Sequence, residues 1–169
     1  MIRIRPAASE SDLDAARVLF RAYAVDSRDD PEFAQCVPSR EFEAEVAGLP
    51  GEYAAPRGVI LLAWSGASAA GCVACRPLAE DGVCEMKRLF VGAAFRGQGV
   101  GAHLVRELLD RSGAMGYDKL RLDTLPSMQA AQRLYRVLGF YEIPAYMENP
   151  VRGAKFFEAR LETASSRRS

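Results

Sequence analysis

The chain has 169 residues, the length of one domain, with 49% hydrophobic and 26% charged residues, the balance of a soluble globular protein. Lys plus Arg equals Asp plus Glu at 22 each, so no global charge recruits nucleic acid or an anionic membrane, and local groups must select any charged substrate. A chain of this length buries roughly two thirds of its unfolded surface and needs no disulfide or metal to hold it together.

Ile2 to Arg5 alternates apolar and basic residues and reads as a short strand. This start has no apolar core of signal-peptide length, and the longest strongly apolar run, Val59 to Trp64, is too short to cross a bilayer. A cytoplasmic location with no membrane partner is expected. A helix follows, capped at Ser9 or Ser11, with Leu13, Ala16, Val18, Leu19, Ala22 and Tyr23 as its apolar stripe. Asp26 to Pro38 is polar and bounded by proline, and reads as a loop. Ser39 caps a second helix reaching to Leu49, with Glu41 and Glu43 near its positive end.

The pattern then changes to strands at Gly58 to Trp64, Ala70 to Leu78 and Val83 to Val91, joined by short turns, which implies an antiparallel meander. After a loop from Gly92 to Gln98, the segment Gly99 to Met115 carries Val100, Leu104, Val105, Leu108 and Leu109 on one helical face, and Gly116 stops it. Asp118 to Leu125 is a strand, Ser127 to Leu138 a helix, and Phe140 to Met147 and Ala154 to Leu161 two closing strands. The segment from Thr163 to Ser169 is small, polar and basic, and is expected to be a disordered tail to a single domain of residues 1–162. The order is β-α-α-β-β-β-α-β-α-β-β. The crossover between Val83 and Leu125 makes its two strands parallel, so the fold class is α/β, a mixed sheet with helices on its faces.

Four cysteines, Cys36, Cys72, Cys75 and Cys84, include a Cys72-x-x-Cys75 pair with the spacing of zinc or redox sites. That pair lies on a strand, where residues three apart point to opposite faces. No second pair exists, and the only histidine, His103, lies on a predicted helix. Small reduced thiols and no metal are expected. Trp64, on a strand, reads as core.

The segment Arg96-Gly97-Gln98-Gly99-Val100-Gly101 sits between a strand and a helix. Glycine permits positive φ and close approach of a ligand to the backbone, and a helix N-terminus offers free N–H groups and a partial positive charge. Together they form a cradle for a diphosphate, to which Arg96 can add a charge-assisted contact. Gly97-x-Gly99-x-x-Ala102, with Asp123 further on, also fits a dinucleotide fingerprint. Against that, residues Gly92 to Arg96 separate the glycines from their strand, an antiparallel meander lies upstream, and too little chain follows Asp123 to complete such a sheet.

The segment 84–140 resembles the GNAT superfamily of N-acetyltransferases. Arg96-Gly-Gln-Gly99-Val-Gly101 matches its [Q/R]-x-x-G-x-[G/A] signature, and Ala131-Gln-Arg-Leu-Tyr135-Arg-Val-Leu-Gly139-Phe140 looks like its A-x-x-L-Y-x-x-x-G-F motif. The resemblance implies a sheet splayed between the fourth and fifth strands and acetyl-CoA as co-substrate. The backbone of Leu89, Phe90 and Val91 would pair with the pantetheine arm, and the N–H groups of Arg96 to Gly101 would hold the diphosphate. Tyr135 is implied as the acid that protonates the departing sulfur.

Glu85 stands eleven residues before Arg96, where some members that acetylate protein lysines carry a glutamate. It reads as a base for the amine, as a binder of a cationic substrate, or as an exposed strand carboxylate paired with Lys87 or Arg88. Many members have asparagine seven residues before the tyrosine. Here that position is Met128, which cannot make the amide's contact with the arm, and Ser127 stands beside it as a candidate contact.

The acceptor site is expected from Phe33 in the Asp26–Pro38 segment and from Tyr146, Glu148 and Asn149 near Pro150. Asp123 lines the cleft or caps the turn before Pro126. The expected function is direct acetyl transfer to a primary amine of a small molecule; a protein lysine or N-terminus as acceptor, and a non-catalytic acyl-CoA sensor, stay open. Dimers are common in the family, but no residue here identifies an interface.

Overall fold

The computed structural model of the chain describes residues 1–36 and 39–163. The expected disordered tail, from residue 164 on, lies outside the described residues. In chain order the elements are β1 (Ile2–Pro6), α1 (Glu10–Asp26), α2 (Pro31–Cys36), α3 (Ser39–Ala47), β2 (Val59–Ser65), β3 (Ser68–Pro77), β4 (Val83–Val91), α4 (Val100–Ala114), β5 (Lys119–Thr124), α5 (Gln129–Val137), β6 (Tyr141–Ile143) and β7 (Lys155–Arg160). The strands form one sheet in the order β1-β2-β3-β4-β5-β7-β6, in which β4 and β5 run parallel and every other pair is antiparallel.

Two elements depart from the sequence reading. The segment read as a loop holds the short helix α2. Pro31 supplies a helical φ at the first position. The Asp30 carboxylate accepts the backbone N–H groups of Glu32 at 2.9 Å and Phe33 at 3.4 Å. The strand expected over Phe140 to Met147 is only Tyr141–Ile143, because Pro144 has no N–H to donate to a ladder.

Helices cover both faces of the sheet. On one face Leu104, Val105 and Leu108 of α4 and Tyr135 of α5 pack with Leu61, Val73, Leu120, Leu122 and Phe157. On the other, Ala16, Leu19 and Phe20 of α1 and Phe42 and Val46 of α3 pack with Ile60, Leu62, Cys72 and Ala74. Leu61 and Leu62 therefore serve opposite cores, as do Val73 and Ala74, which is why β2 and β3 read as unbroken apolar runs. Cys72 and Cys75 also fall in different cores, and the cysteines are free thiols.

The ladder between β4 and β5 is short. It joins Val83 to Lys119, Cys84 to Leu120 and Glu85 to Arg121, and then ends, although β4 runs on to Val91 and β5 to Thr124. On its other side β4 carries a bulge. Ala74 faces Lys87 and Cys72 faces Phe90, so one residue of β3 opposes two of β4. Within it Arg88 has φ +60°, unique among the described non-glycine residues. Such a conformation costs roughly 1–2 kcal/mol. It is offset by the Arg88 guanidinium, which donates from Nε and Nη2 to Glu45 Oε2 (3.1 and 2.6 Å) and lies 5.1 Å from the Phe42 ring centroid. The bulge bends β4 away from β5, and the sheet opens as a V.

The first strand and helix are joined through Asp12. Its carboxylate accepts Arg5 Nη1 and Nη2 at 2.8 and 2.7 Å and the backbone N–H groups of Ala8 and Ser9 at 3.0 and 3.2 Å; Ser9 Oγ caps the helix in return. The Arg5 guanidinium, followed by these N–H groups, holds the Asp12 carboxyl well below the usual carboxylate range. A carboxyl depressed in the folded state contributes stability that is complete above its unfolded pKa, about 3.9, and is lost as pH falls further toward its folded value. Asp12→Ala is therefore expected to unfold at lower urea concentration than the parent at pH 7, with the gap narrowing as pH is lowered below about 4. A gap independent of pH would show that the ion pair contributes nothing.

Candidate active site

The opening between β4 and β5 leads into a cavity of about 580 Å³. Residues 86–91 of β4 form one wall, and residues 122–124 of β5 with Leu125 just past its end form the other. Tyr23, Asp26 and Ser27 close it from the end of α1, Phe33 and Cys36 from α2, residues 127–131 and Tyr135 from α5 and its entry, and residues 147–150 from the segment between β6 and β7.

Every residue from 86 to 91 borders this space, the bulge residues Lys87 and Arg88 among them. The bulge leaves an open strand edge. The Gly92 N–H bonds Ala70 O on β3 at 2.9 Å, so by alternation the Val91 carbonyl turns away from β3, and Arg96 Nε donates to it at 3.0 Å. Past Glu85 no strand among the described residues pairs with this edge, which suits an extended ligand adding itself as a strand. Leu89, Phe90 and Val91 all border it.

Gly97 and Gly99 have φ of +73° and +76°, and a Cβ on either would meet nothing within 4 Å. Glycine is thus required there by backbone conformation, with open space above it. Gly99 is the N-cap of α4 and has no side chain to bond the first-turn N–H groups. The first helical bond is His103 N–H to Gly99 O at 3.0 Å, so the backbone N–H groups of Val100, Gly101 and Ala102 have no acceptor within the helix and suit an anion. The Val100 side chain is buried and Gly101 abuts Val91 and Leu134, so both offer backbone alone. Gln98 Nε2 donates to Ala94 O at 3.2 Å.

Arg96 is the only residue of this turn that lines the cavity. On sequence grounds its side chain can add a contact to a diphosphate. In the structure the guanidinium turns back, donating from Nη2 to Asp26 Oδ2 at 2.8 Å and from Nε to Val91 O, because the end of α1 presents a carboxylate beside the strand edge.

Tyr135 is 6% exposed, packs against Phe140 and Phe157 with centroids 5.6 and 6.2 Å away, and faces the cavity. Burial, and then the charges of Tyr23 and Asp123, push its hydroxyl well above the usual tyrosine range, so it holds its proton at neutral pH. No partner bonds that hydroxyl among the described residues. Thr124 Oγ1, buried in the β5 wall, is likewise without a hydrogen-bond partner there. Ser127 and Met128 line the same end, and Ser127 clamps α2 in place: its Oγ donates to Asp30 Oδ2 at 2.7 Å and its backbone N–H to Glu32 Oε2 at 2.9 Å.

Phe33 and Asn149, expected at the acceptor end, line the cavity. Glu85 and Tyr146 do not. Glu85 is fully buried; its Oε1 accepts Arg76 Nε and Nη2 at 3.1 and 2.9 Å, and its Oε2 accepts the Tyr146 hydroxyl at 2.6 Å. The register that sets Arg76 opposite Glu85 draws the carboxylate into this pair. This corrects the reading of an exposed strand carboxylate, and neither Glu85 nor Tyr146 lines the cavity. Asp123 does line it. Its Oδ1 accepts Lys87 Nζ at 3.3 Å and its Oδ2 accepts Asn149 Nδ2 at 2.9 Å. Lys87, Arg88, Tyr23 and Cys36 also line the site without having been singled out from sequence; the bulge and α2, where most of them lie, leave no periodic signal.

Residues 19–140 match the model of the Acetyltransferase (GNAT) family. An uncharacterized N-acetyltransferase of Schizosaccharomyces pombe is 36% identical over 141 residues, 83% of this chain and 83% of that protein. The N-acetylaspartate synthetase of Xenopus tropicalis is 36% identical over 73 residues, 43% of this chain and 27% of that protein. The crystal structure of a GNAT-family acetyltransferase from Staphylococcus aureus superposes with a TM-score of 0.77 at 18% identity, covering 95% of this chain and 99% of that one. The chain belongs to the GNAT acetyltransferase family and is an acyltransferase, with acetyl-CoA the co-substrate that the family uses. The open β4 edge and the clear space over Gly97 and Gly99 fit such a molecule.

Replacing Gly99 with alanine forces a side chain into a left-handed conformation, and is expected to cost roughly 1–2 kcal/mol in urea unfolding. Acetyl-CoA affinity, read by calorimetry, should weaken about ten-fold or more as the anion cradle shifts, a loss of roughly 1.4 kcal/mol. Unchanged affinity would place the diphosphate elsewhere.

Proposed function

We propose that the protein transfers an acetyl group from acetyl-CoA to the primary amine of a small molecule, with both substrates bound together. The observation that carries this reading is that the two acceptor-side segments meet across the cavity. Cys36 Sγ donates to Asn149 Oδ1 at 3.6 Å, and Phe33 packs with Leu125 and Val151. A walled cavity suits a small acceptor; a folded protein surface presenting a lysine needs an open trough. The name of one relative, N-acetylaspartate synthetase, describes a small amino-acid product and supports the same class.

In this reading the backbone edge of residues 89–91 takes the pantetheine arm, the N–H groups of residues 96–101 take the diphosphate, and Ser127 borders the arm from the other side. The neutral amine attacks the thioester carbonyl, a C–N bond forms, and the C–S bond breaks. Tyr135 supplies its proton to the sulfur, which would otherwise leave as a thiolate in a buried site. A tyrosine held protonated by burial is suited to that single donation.

The test is CoA release from acetyl-CoA against a panel of amino acids beginning with L-aspartate, polyamines and short peptides, for the parent protein and Tyr135→Phe. Turnover of small amines is expected, falling about 10²-fold or more in kcat for the variant while acetyl-CoA affinity holds. Turnover of peptides alone would sink the small-molecule reading, and equal rates would remove Tyr135 as the acid.

A further inference from the structure

We propose that Asp123 receives the acceptor's ammonium group and takes the proton it sheds before attack, a part that is one of three sequence readings of Glu85. The proposal rests on the small-amine reading above and assigns its acceptor subsite.

Position is the first argument. The β4–β5 ladder ends at Arg121, and Asp123 is two residues further along β5, where that strand has become a cavity wall opposite the bulge. Among the described carboxylates lining the cavity, Asp26 is tied to Arg96 beside the glycine turn, and Glu148 is exposed on the segment before Pro150. Asp123 is held from both sides. Lys87 reaches it across the open sheet, and Asn149 comes from the acceptor-side segment. One donor on each oxygen leaves further lone pairs for a guest.

Charge is the second argument, and it is independent of position. The ion pairs Glu52–Arg76, Arg76–Glu85, Lys87–Glu85 and Lys87–Asp123 form one connected chain. It contains two cations and three carboxylates, so one negative charge is left over; of the two end carboxylates Glu52 is 71% exposed and screened by water, whereas Asp123 meets the cavity. A side chain only 17% exposed keeps that charge from being fully screened. The ammonium group of a guest completes the chain, whatever charge the rest of the guest carries.

The sequence of events follows from where the charges lie. An alkyl ammonium near pH 7 must lose a proton before its nitrogen can attack. That proton passes to an Asp123 oxygen, and the freed lone pair forms the C–N bond as the C–S bond breaks. The nitrogen sheds a second proton when the adduct collapses. Of the two, the thiol carries one away, by way of the Tyr135 hydroxyl, and one is released to water. The ionised Asp123 is also one cause of the raised Tyr135 hydroxyl, so its protonation makes the tyrosine a readier donor at the moment the sulfur leaves. Lys87 and Asn149 are positioning residues in this scheme.

The experiment compares ethanolamine, protonated near pH 7, with hydroxylamine, neutral there, as acceptors for the parent, Asp123→Asn and Asp123→Glu. CoA release gives kcat and KM, and calorimetry gives acetyl-CoA affinity. For Asp123→Asn the expected result is a loss of about a hundred-fold in kcat/KM for ethanolamine. Hydroxylamine should change less than about three-fold, acetyl-CoA affinity should hold, and Asp123→Glu should recover part of the loss. An equal loss toward both nucleophiles would reduce Asp123 to a structural role, and an unchanged rate with ethanolamine would overturn the proposal outright. If the parent protein acetylates only a peptide N-terminus, the small-amine reading fails by itself. The Asp123→Asn comparison on that peptide then decides the subsite: a loss of the same order upholds it, and none refutes it.

Discussion

The parallel pairing of β4 with β5 stops at Glu85 and Arg121, and the site exists because it stops there. A strand of a mixed sheet normally has both edges satisfied, and an unpaired edge inside a protein is costly unless something fills it. Here the bulge opposite Val73 adds one residue to β4, turns Arg88 into a left-handed conformation and bends the strand away. The energy of that distortion is held by Glu45 and Phe42, which grip the Arg88 side chain from α3. One local defect, secured from outside the site, thus opens the sheet and leaves a backbone edge of β4 unpaired.

The rest of the cavity answers that opening. On the glycine side, positive φ at residues 97 and 99 lets the chain enter α4 with its first N–H groups free. At the other end, Asp30 and Glu32 bind Ser127, and Cys36 binds Asn149, so α2 is fixed across the mouth by polar contacts as well as by the burial of Phe33 against Leu125 and Val151. Between the two ends stands Tyr135, desolvated and protonated. Ionic contacts along β3, β4 and β5 connect the outer Arg76 to the inner Asp123, so the electrostatics of the cavity are set partly by residues that never touch it.

Much of this was legible in the sequence, for physical reasons that can be named. The helical period of α1, the meander of β2 to β4 and the glycine turn each carry a local period or a residue type that only one conformation satisfies, although Val18, read into the α1 stripe, is 65% exposed and Phe20, left out of it, is buried. The opposite facing of Cys72 and Cys75 followed from the strand period alone. What could not be read depended on distant partners. The bulge is invisible because its left-handed residue is an arginine, stabilised by Glu45 forty-three positions away. Glu85 looks like a strand residue free to face a ligand until Arg76 and Tyr146, the latter sixty-one positions distant, enclose it. Arg96 matches a signature, but its side chain answers to Asp26, seventy positions upstream. The helix α2 is too short to show a period, though Asp30-Pro31-Glu32 is a start signal in its own right.

The claim at the centre of this account is that the free edge of β4 beyond the splay is where the acetyl donor lies. Hydrogen–deuterium exchange with and without acetyl-CoA tests it directly. Amides of residues 89–91 and 96–102 should gain protection together on binding, with little change at the paired start of β4, residues 83–85. Protection confined to the glycine turn, or appearing on the opposite face around α3, would contradict the account, because the strand edge would then be open for some other purpose.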